Sequence, residues 1–137
     1  MWFPDLGPCL YFRPLFTDLR LIAVGWLEPG HPFDEGLPDE SLRHALEYLF
    51  QLHGHSCFCG AHICGFCAAE AAERGDLESS FDSLPSGYRD LFIASHRGDG
   101  YYAVPELITH YIAKHGYQPP AEFREAIEWP RPLDLTR

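Results

Sequence analysis

Four of the five cysteines lie within eleven residues, in the stretch Cys57-Phe58-Cys59-Gly60-Ala61-His62-Ile63-Cys64-Gly65-Phe66-Cys67. Thiols this dense, with glycines between them and a histidine among them, are metal ligands more often than core filler, and zinc is the metal they suit best. Cys64-Gly65-Phe66-Cys67 is a C-x-x-C knuckle. Two intervening residues let both sulfurs turn toward one ion at about 2.3 Å. Gly65 frees the backbone for that turn, and Phe66 is placed to cover it. Further on, His110 and His115 have four residues between them, within the H-x₃₋₅-H window that puts two imidazoles on one zinc near a helix end. An ideal helix separates positions five apart by about 140°. His115 adjoins Gly116, however, where a helix can tighten or unwind. The predicted ligand set is therefore Cys64, Cys67, His110 and His115 around Zn²⁺.

Other sets remain open. Cys57, Cys59, Cys64 and Cys67 can form a compact four-thiolate site, which makes Cys59 an alternate ligand. His62 can replace a distal histidine, although one residue between it and Cys64 demands a tight turn if both reach one ion. It can equally serve beside the metal as a reactive or supporting group. The plain alternatives are that His110 and His115 are surface or cap histidines of a helix C-terminus, and that Cys64 and Cys67 are free thiols. Cys9, isolated among apolar residues, reads as a buried core thiol.

Periodicity supplies the elements that must position these residues. Cys9 to Arg13 and Leu19 to Leu27 read as strands, the second rich in branched and aromatic side chains. Pro14 and the Thr17-Asp18 pair suggest a turn between them. Residues 28–38, EPGHPFDEGLP, form a loop in which His31 is solvated. From Asp39 to His53 the apolar positions Leu42, Ala45, Leu46, Leu49 and Phe50 follow the spacing of one buried helix face, with Asp39 at its start and Gly54 at its stop. His44 and His53 fall at surface or edge positions. A short helix fits Ala68 to Arg74, ended by Gly75, and residues 79–87 read as a loop. Leu91 to Ser95 and Tyr101 to Val104 read as paired strands, with turn glycines between them. Pro105 suits the first turn of a helix whose apolar face is Leu107, Ile108, Tyr111 and Ile112 and which stops at Gly116. Gln118-Pro119-Pro120 restarts the chain into a last helix with Phe123, Ala126 and Ile127 inward, and a proline-containing tail follows from about residue 129. The expected fold class is α+β. The expected architecture is a small single domain over 1–137, with a short antiparallel sheet, three or four helices and a zinc-knuckle/hairpin/helix unit. That order is the layout of a ββα zinc finger. However, 42 residues separate Cys67 from His110 where about 12 to 15 are usual, so the function of DNA-reading fingers does not carry over.

Bulk properties narrow the function further. The chain has 137 residues, 46% of them hydrophobic, which is enough for a real core. Its net charge is −10 and Lys114 is its only lysine. Such a chain is repelled by phosphate backbones and anionic lipid surfaces, so nucleic acid is an unfavoured partner. No apolar run is long enough to span a bilayer. The first residues lack a basic region ahead of an apolar one, so a cytoplasmic location is expected. Cysteines in that compartment favour metal or free thiols over disulfides.

Two stretches together bring a family resemblance. Gly60-Ala61-His62-Ile63-Cys64-Gly65-Phe66-Cys67 is a G-x-H-x-C-x-x-C stretch. The run from Ala103-Val104-Pro105-Glu106-Leu107 through His110-Tyr111 to His115-Gly116-Tyr117-Gln118-Pro119-Pro120-Ala121-Glu122-Phe123 is the second. In these the chain resembles a group of small, uncharacterised bacterial proteins. The resemblance implies that His62, Cys64, Cys67, His110 and His115 belong to one signature, and that Cys57 and Cys59 are additions of this sequence. It implies no activity.

Three roles fit these readings. The first is a zinc-stabilised module with a structural metal and a protein-interaction or regulatory role, in which aromatics such as Trp2, Phe3, Tyr101, Tyr102 and Trp129 offer anchors. The second is a zinc-dependent enzyme with an open coordination position near His62, with His62 or Glu106 as base. There is no HExxH, and the His62-x-Cys64 spacing lacks the glutamate of a zinc deaminase. The third is a thiol redox protein working through Cys64 and Cys67 or Cys57 and Cys59. Ser86, Asp90 and His96 make a catalytic triad on paper only.

Overall fold

The structure is a computed structural model that describes residues 1–58, 61–75 and 83–134. Its elements, in chain order, are a 3₁₀ turn at Leu10–Phe12, β1 (Arg20–Ala23), α1 (Glu40–His53), β2 (His62–Ile63), α2 (Gly65–Glu73), β3 (Ser86–Gly87), β4 (Asp90–Ala94), β5 (Gly100–Pro105), α3 (Ile108–His115) and α4 (Ala121–Glu128). This is a small α+β domain fold. None of the described helices is long and apolar enough to cross a membrane.

Three strands form the main sheet in the order β1-β5-β4. β4 and β5 are the expected hairpin, with Leu91 opposite Val104 and Ile93 opposite Tyr102. β1 lies parallel to β5, with Arg20 opposite Gly100 and Ala23 opposite Ala103. The sheet is therefore mixed rather than antiparallel. A parallel neighbour requires a long crossover, and the chain from residue 24 to 99 supplies one.

Alternation along each strand sorts the side chains onto two faces. Ile22, Val24, Leu91, Ile93, Tyr102 and Val104 join Leu46 and Phe50 of α1, Ile108 and Ile112 of α3, and Phe123 and Ile127 of α4 in one core. Leu21, Ala23, Phe92 and Ala103 point the other way, into a second core with Phe12 and Trp26. Both faces of the sheet are thus covered, which accounts for the near-continuous apolar runs in β1, β4 and β5.

The second core explains two departures from the sequence reading. Residues 9–13 are not a strand. Cys9 bonds through its N–H to the Leu21 carbonyl at 3.0 Å, and the chain then coils into the 3₁₀ turn, which lays Tyr11 and Phe12 over Trp26. Aromatic burial outweighs strand propensity here. The strand read from Leu19 to Leu27 stops at Ala23, because Gly25 takes a positive φ of 82° and a Cβ there would come within 2.9 Å of Ile108. Leu27 and Trp26 stay buried beyond the strand's end.

The helices follow their sequence signals closely. Asp39 caps α1, its carboxylate accepting from the Leu42 N–H at 3.0 Å, and also pairs with Arg124 of α4. Arg43 pairs with Glu40 and Glu47 on the exposed side of α1. Pro105 ends β5 instead of opening α3, which begins at Ile108 after a turn; with no N–H, proline suits a strand end. α3 ends at Gly116 in the left-handed conformation, φ 68°. A Cβ at Gly116 would lie 2.6 Å from the Gly36 carbonyl oxygen, so only glycine fits. The segment after α4 is not loose where it is described: the Ala94 N–H bonds to the Arg131 carbonyl, and the Leu133 N–H to the Phe92 carbonyl, along the outer edge of β4.

Candidate metal centre

Two elements bring the centre together. β2 pairs antiparallel with β3, and the Cys64 N–H continues that pairing to the Pro85 carbonyl at 2.9 Å. The chain then turns straight into α2, with Cys64 as its N-cap: the Cys64 sulfur accepts from the Cys67 N–H at 3.5 Å. The C-x-x-C thus spans a strand end and a first helical turn. Both cysteines are buried. α2 begins three residues earlier than the Ala68 start read from sequence, because the knuckle itself forms its first turn.

α3 contributes the histidines. His110 lies in the body of the helix, and His115 is its last residue before the left-handed Gly116. Their ring centroids are 5.1 Å apart, so the long side chains overcome the divergence expected five residues apart. Among the described residues, Cys64, Cys67, His110 and His115 form one group whose ligand atoms all lie within 4.8 Å of one another. Cys64 Sγ is 3.4 Å from His115 Nε2. Cys67 Sγ is 3.4 Å from His110 Nε2 and 3.7 Å from His115 Nε2. A tetrahedral ion with ordinary zinc–sulfur and zinc–nitrogen bonds requires a sulfur–nitrogen separation of about 3.6 Å. The three close sulfur–nitrogen pairs therefore stand near the separation one tetrahedral ion needs, and the group can hold a metal.

Electrostatics agree with a cation's place. Burial, and then the neighbouring His115, push His110 down to about 4, so its imidazole is neutral and its lone pair free to bind. Burial also lowers His115. Burial pushes the Cys64 thiol up to about 11, so the thiol keeps its proton until a cation displaces it. A divalent ion with two thiolates and two neutral imidazoles has no net charge, which suits a buried position. Phe66 packs over the group, 5.0 Å from the His115 ring and 6.0 Å from Tyr111. Phe33 closes the aromatic cover at 5.6 Å from Phe66.

The remaining candidates lie elsewhere. His62 stands outside the group: its ring meets the edges of Tyr11 at 5.4 Å and Trp26 at 5.9 Å, and burial lowers its pKa. Cys57 packs against the second core, where burial pushes its thiol up to about 11. Cys59 falls outside the described residues. Cys9 is the buried core thiol expected, pushed up to about 12 by burial. His96 bonds to the Trp129 carbonyl at 3.0 Å rather than to Asp90, so no triad forms with Ser86. Of the aromatic anchors, Tyr102 is buried and Trp129 is 78% exposed.

Sequence reasoning placed Asp90 only in a paper triad and missed its burial. Its side chain is 4% exposed, and one carboxyl oxygen has no hydrogen-bond partner. Burial, and then the charge of Glu106, push its pKa up to about 7. Nothing in the local sequence signals this, because the aspartate stands where a strand-flanking turn residue would.

A model of a domain family of unknown function, DUF7919, matches residues 1–128, and the chain belongs to that family. No curated protein and no solved structure matches it.

Proposed function

We propose that this DUF7919 member is a bacterial, cytoplasmic zinc-binding module over residues 1–137, in which Cys64, Cys67, His110 and His115 hold one structural Zn²⁺. One observation carries the reading: two sulfurs and two imidazole nitrogens, from a knuckle and a helix far apart in sequence, converge within 4.8 Å. Neutral imidazoles and paired sulfurs are the donors that zinc takes in closed sites, and four protein donors complete its tetrahedron. The ion would clamp β2 and α2 onto α3, so that its binding free energy becomes folding free energy. A catalytic zinc needs an open position. His62, which would serve it, stands apart from the group. A redox dithiol needs a lowered thiol pKa, and burial moves Cys64 the other way.

The role we assign is interaction with another protein. Leu37, Tyr48, Leu52 and Trp129 are large apolar side chains left exposed, and the net charge of −10 favours a basic partner over nucleic acid or anionic lipid. The test is elemental analysis of untagged protein combined with zinc-edge X-ray absorption. One zinc per chain with a shell of two sulfurs and two nitrogens is expected. A metal-free protein would overturn the reading, and a four-sulfur shell would move the ligands to Cys57 and Cys59.

A further inference from the structure

We infer that a second ligand site, for a small organic ammonium ion, lies beside the metal centre. A cavity of about 320 Å³ opens between the segments 25–28 and 61–65, over Leu107 and Tyr111. That volume lies at the lower end of ligand-binding pockets, which suits a ligand of one ring or a short chain. Leu107 and Tyr111 at its floor are buried, while Glu28 and Ala61 at its rim reach solvent.

Its chemistry points to a cation. Glu28 carries the only charged side chain among the described residues that line it. Met1 also lines the cavity and its amino group lies 3.5 Å from a Glu28 oxygen, a contact that a ligand ammonium would replace. His62 faces the same cavity, and its ring nitrogens have no hydrogen-bond partner among the described residues. An imidazole nitrogen there can accept from an ammonium or a hydroxyl. The Tyr111 side chain supplies an aromatic surface, and a cation beside an aromatic ring and a carboxylate gains from both. The strongly acidic chain also raises the local concentration of cations.

The cavity and the metal centre share their walls. Ile63 and Gly65 line the cavity and flank Cys64, and Tyr111 lines it and follows His110. A metal that fixes the knuckle on α3 therefore also fixes the shape of the cavity. The site itself does not depend on which ion is held.

The experiment is titration of the full-length protein, of measured metal content, with 2-phenylethylammonium, followed by ¹H–¹⁵N and imidazole ¹H–¹³C correlation spectra. Phenylacetate, of similar shape and opposite charge, is the control. We expect saturable shifts at His62, Glu28 and Ala61 with the amine and none with phenylacetate. Glu28→Gln, a near-isosteric change at a half-buried position, is expected to weaken binding about tenfold, and Ala61→Trp at the rim to abolish it. Absence of saturable shifts, equal binding of phenylacetate, or full affinity in Glu28→Gln would overturn the site. Amine binding to metal-free protein would leave this site standing while removing the zinc reading. Metal without amine binding would do the reverse.

Discussion

At the scale of single residues, the centre depends on donors that cannot be exchanged for near relatives. Cys64 is both the N-cap of α2 and one of the four proposed ligands, so Cys64→Ser keeps an oxygen to cap the helix but removes a soft donor. His110→Ala removes an imidazole and leaves the cap untouched. Both variants are expected to lose the metal and to melt roughly 10 °C or more below the parent, because structural zinc contributes heavily to folding. Unchanged zinc content and melting in both would refute the ligand set. Asp90 makes a different prediction. Its folded-state pKa, about 7, lies above the ordinary carboxyl value of 3.8. Its ionisation therefore weakens the fold as pH rises between those values, and the cost is absent below them. Asp90→Asn is expected to stabilise the protein by about 2–4 kcal/mol at pH 8 and to lose that advantage near pH 4. Urea titrations at the two pH values measure the difference. A gain of the same size at both would mean that charge is not the cause.

At the scale of elements, α3 does two jobs, packing the core through Ile108 and Ile112 and presenting His110 and His115 from its other side. Its end is fixed at Gly116. Gly116→Val forces a branched side chain into a left-handed backbone and against Gly36. It is expected to cost at least about 2 kcal/mol in urea unfolding and, because His115 is the adjacent residue, to weaken zinc binding in a chelator competition. A variant that loses stability yet holds zinc as tightly would separate the helix end from the site. α4 has only the packing job: Phe123→Ala is expected to cost about 3–5 kcal/mol, with metal content unchanged in the folded fraction. The helices were legible in the sequence because apolar spacing and caps are local. α1, α3 and α4 lie within a few residues of where periodicity puts them. The strand read at residues 9–13 was not, because Tyr11 and Phe12 answer to Trp26 and the sheet beneath them. Local propensity carries no information about that neighbour.

At the scale of the whole molecule, the proposed metal bridging α2 and α3 would tie the two-stranded β2–β3 unit to the main body. Chelation is therefore expected to lower the melting temperature of the parent and to leave the doubly substituted Cys64→Ser/His110→Ala protein unaffected. Differential scanning calorimetry with and without chelator decides it. Zinc binding should also strengthen as pH rises from 6 to 8, since thiols surrender protons to the ion. His110, already neutral in that range, adds little to that slope. Proton release measured in weak buffer, between one and two per zinc, is the check. The sequence by itself determined the kinds of donor, their pairing into a knuckle and a helical histidine pair, and the helices that carry them, because all of these are set by residues a few positions apart. Only the tertiary structure decided that the knuckle meets the histidines across 42 intervening residues, that His62 turns toward Tyr11 and Trp26 instead, and that β1 lies parallel to β5. Those outcomes rest on how two faces of one sheet are buried at once, which is a property of the packed chain and of no single segment.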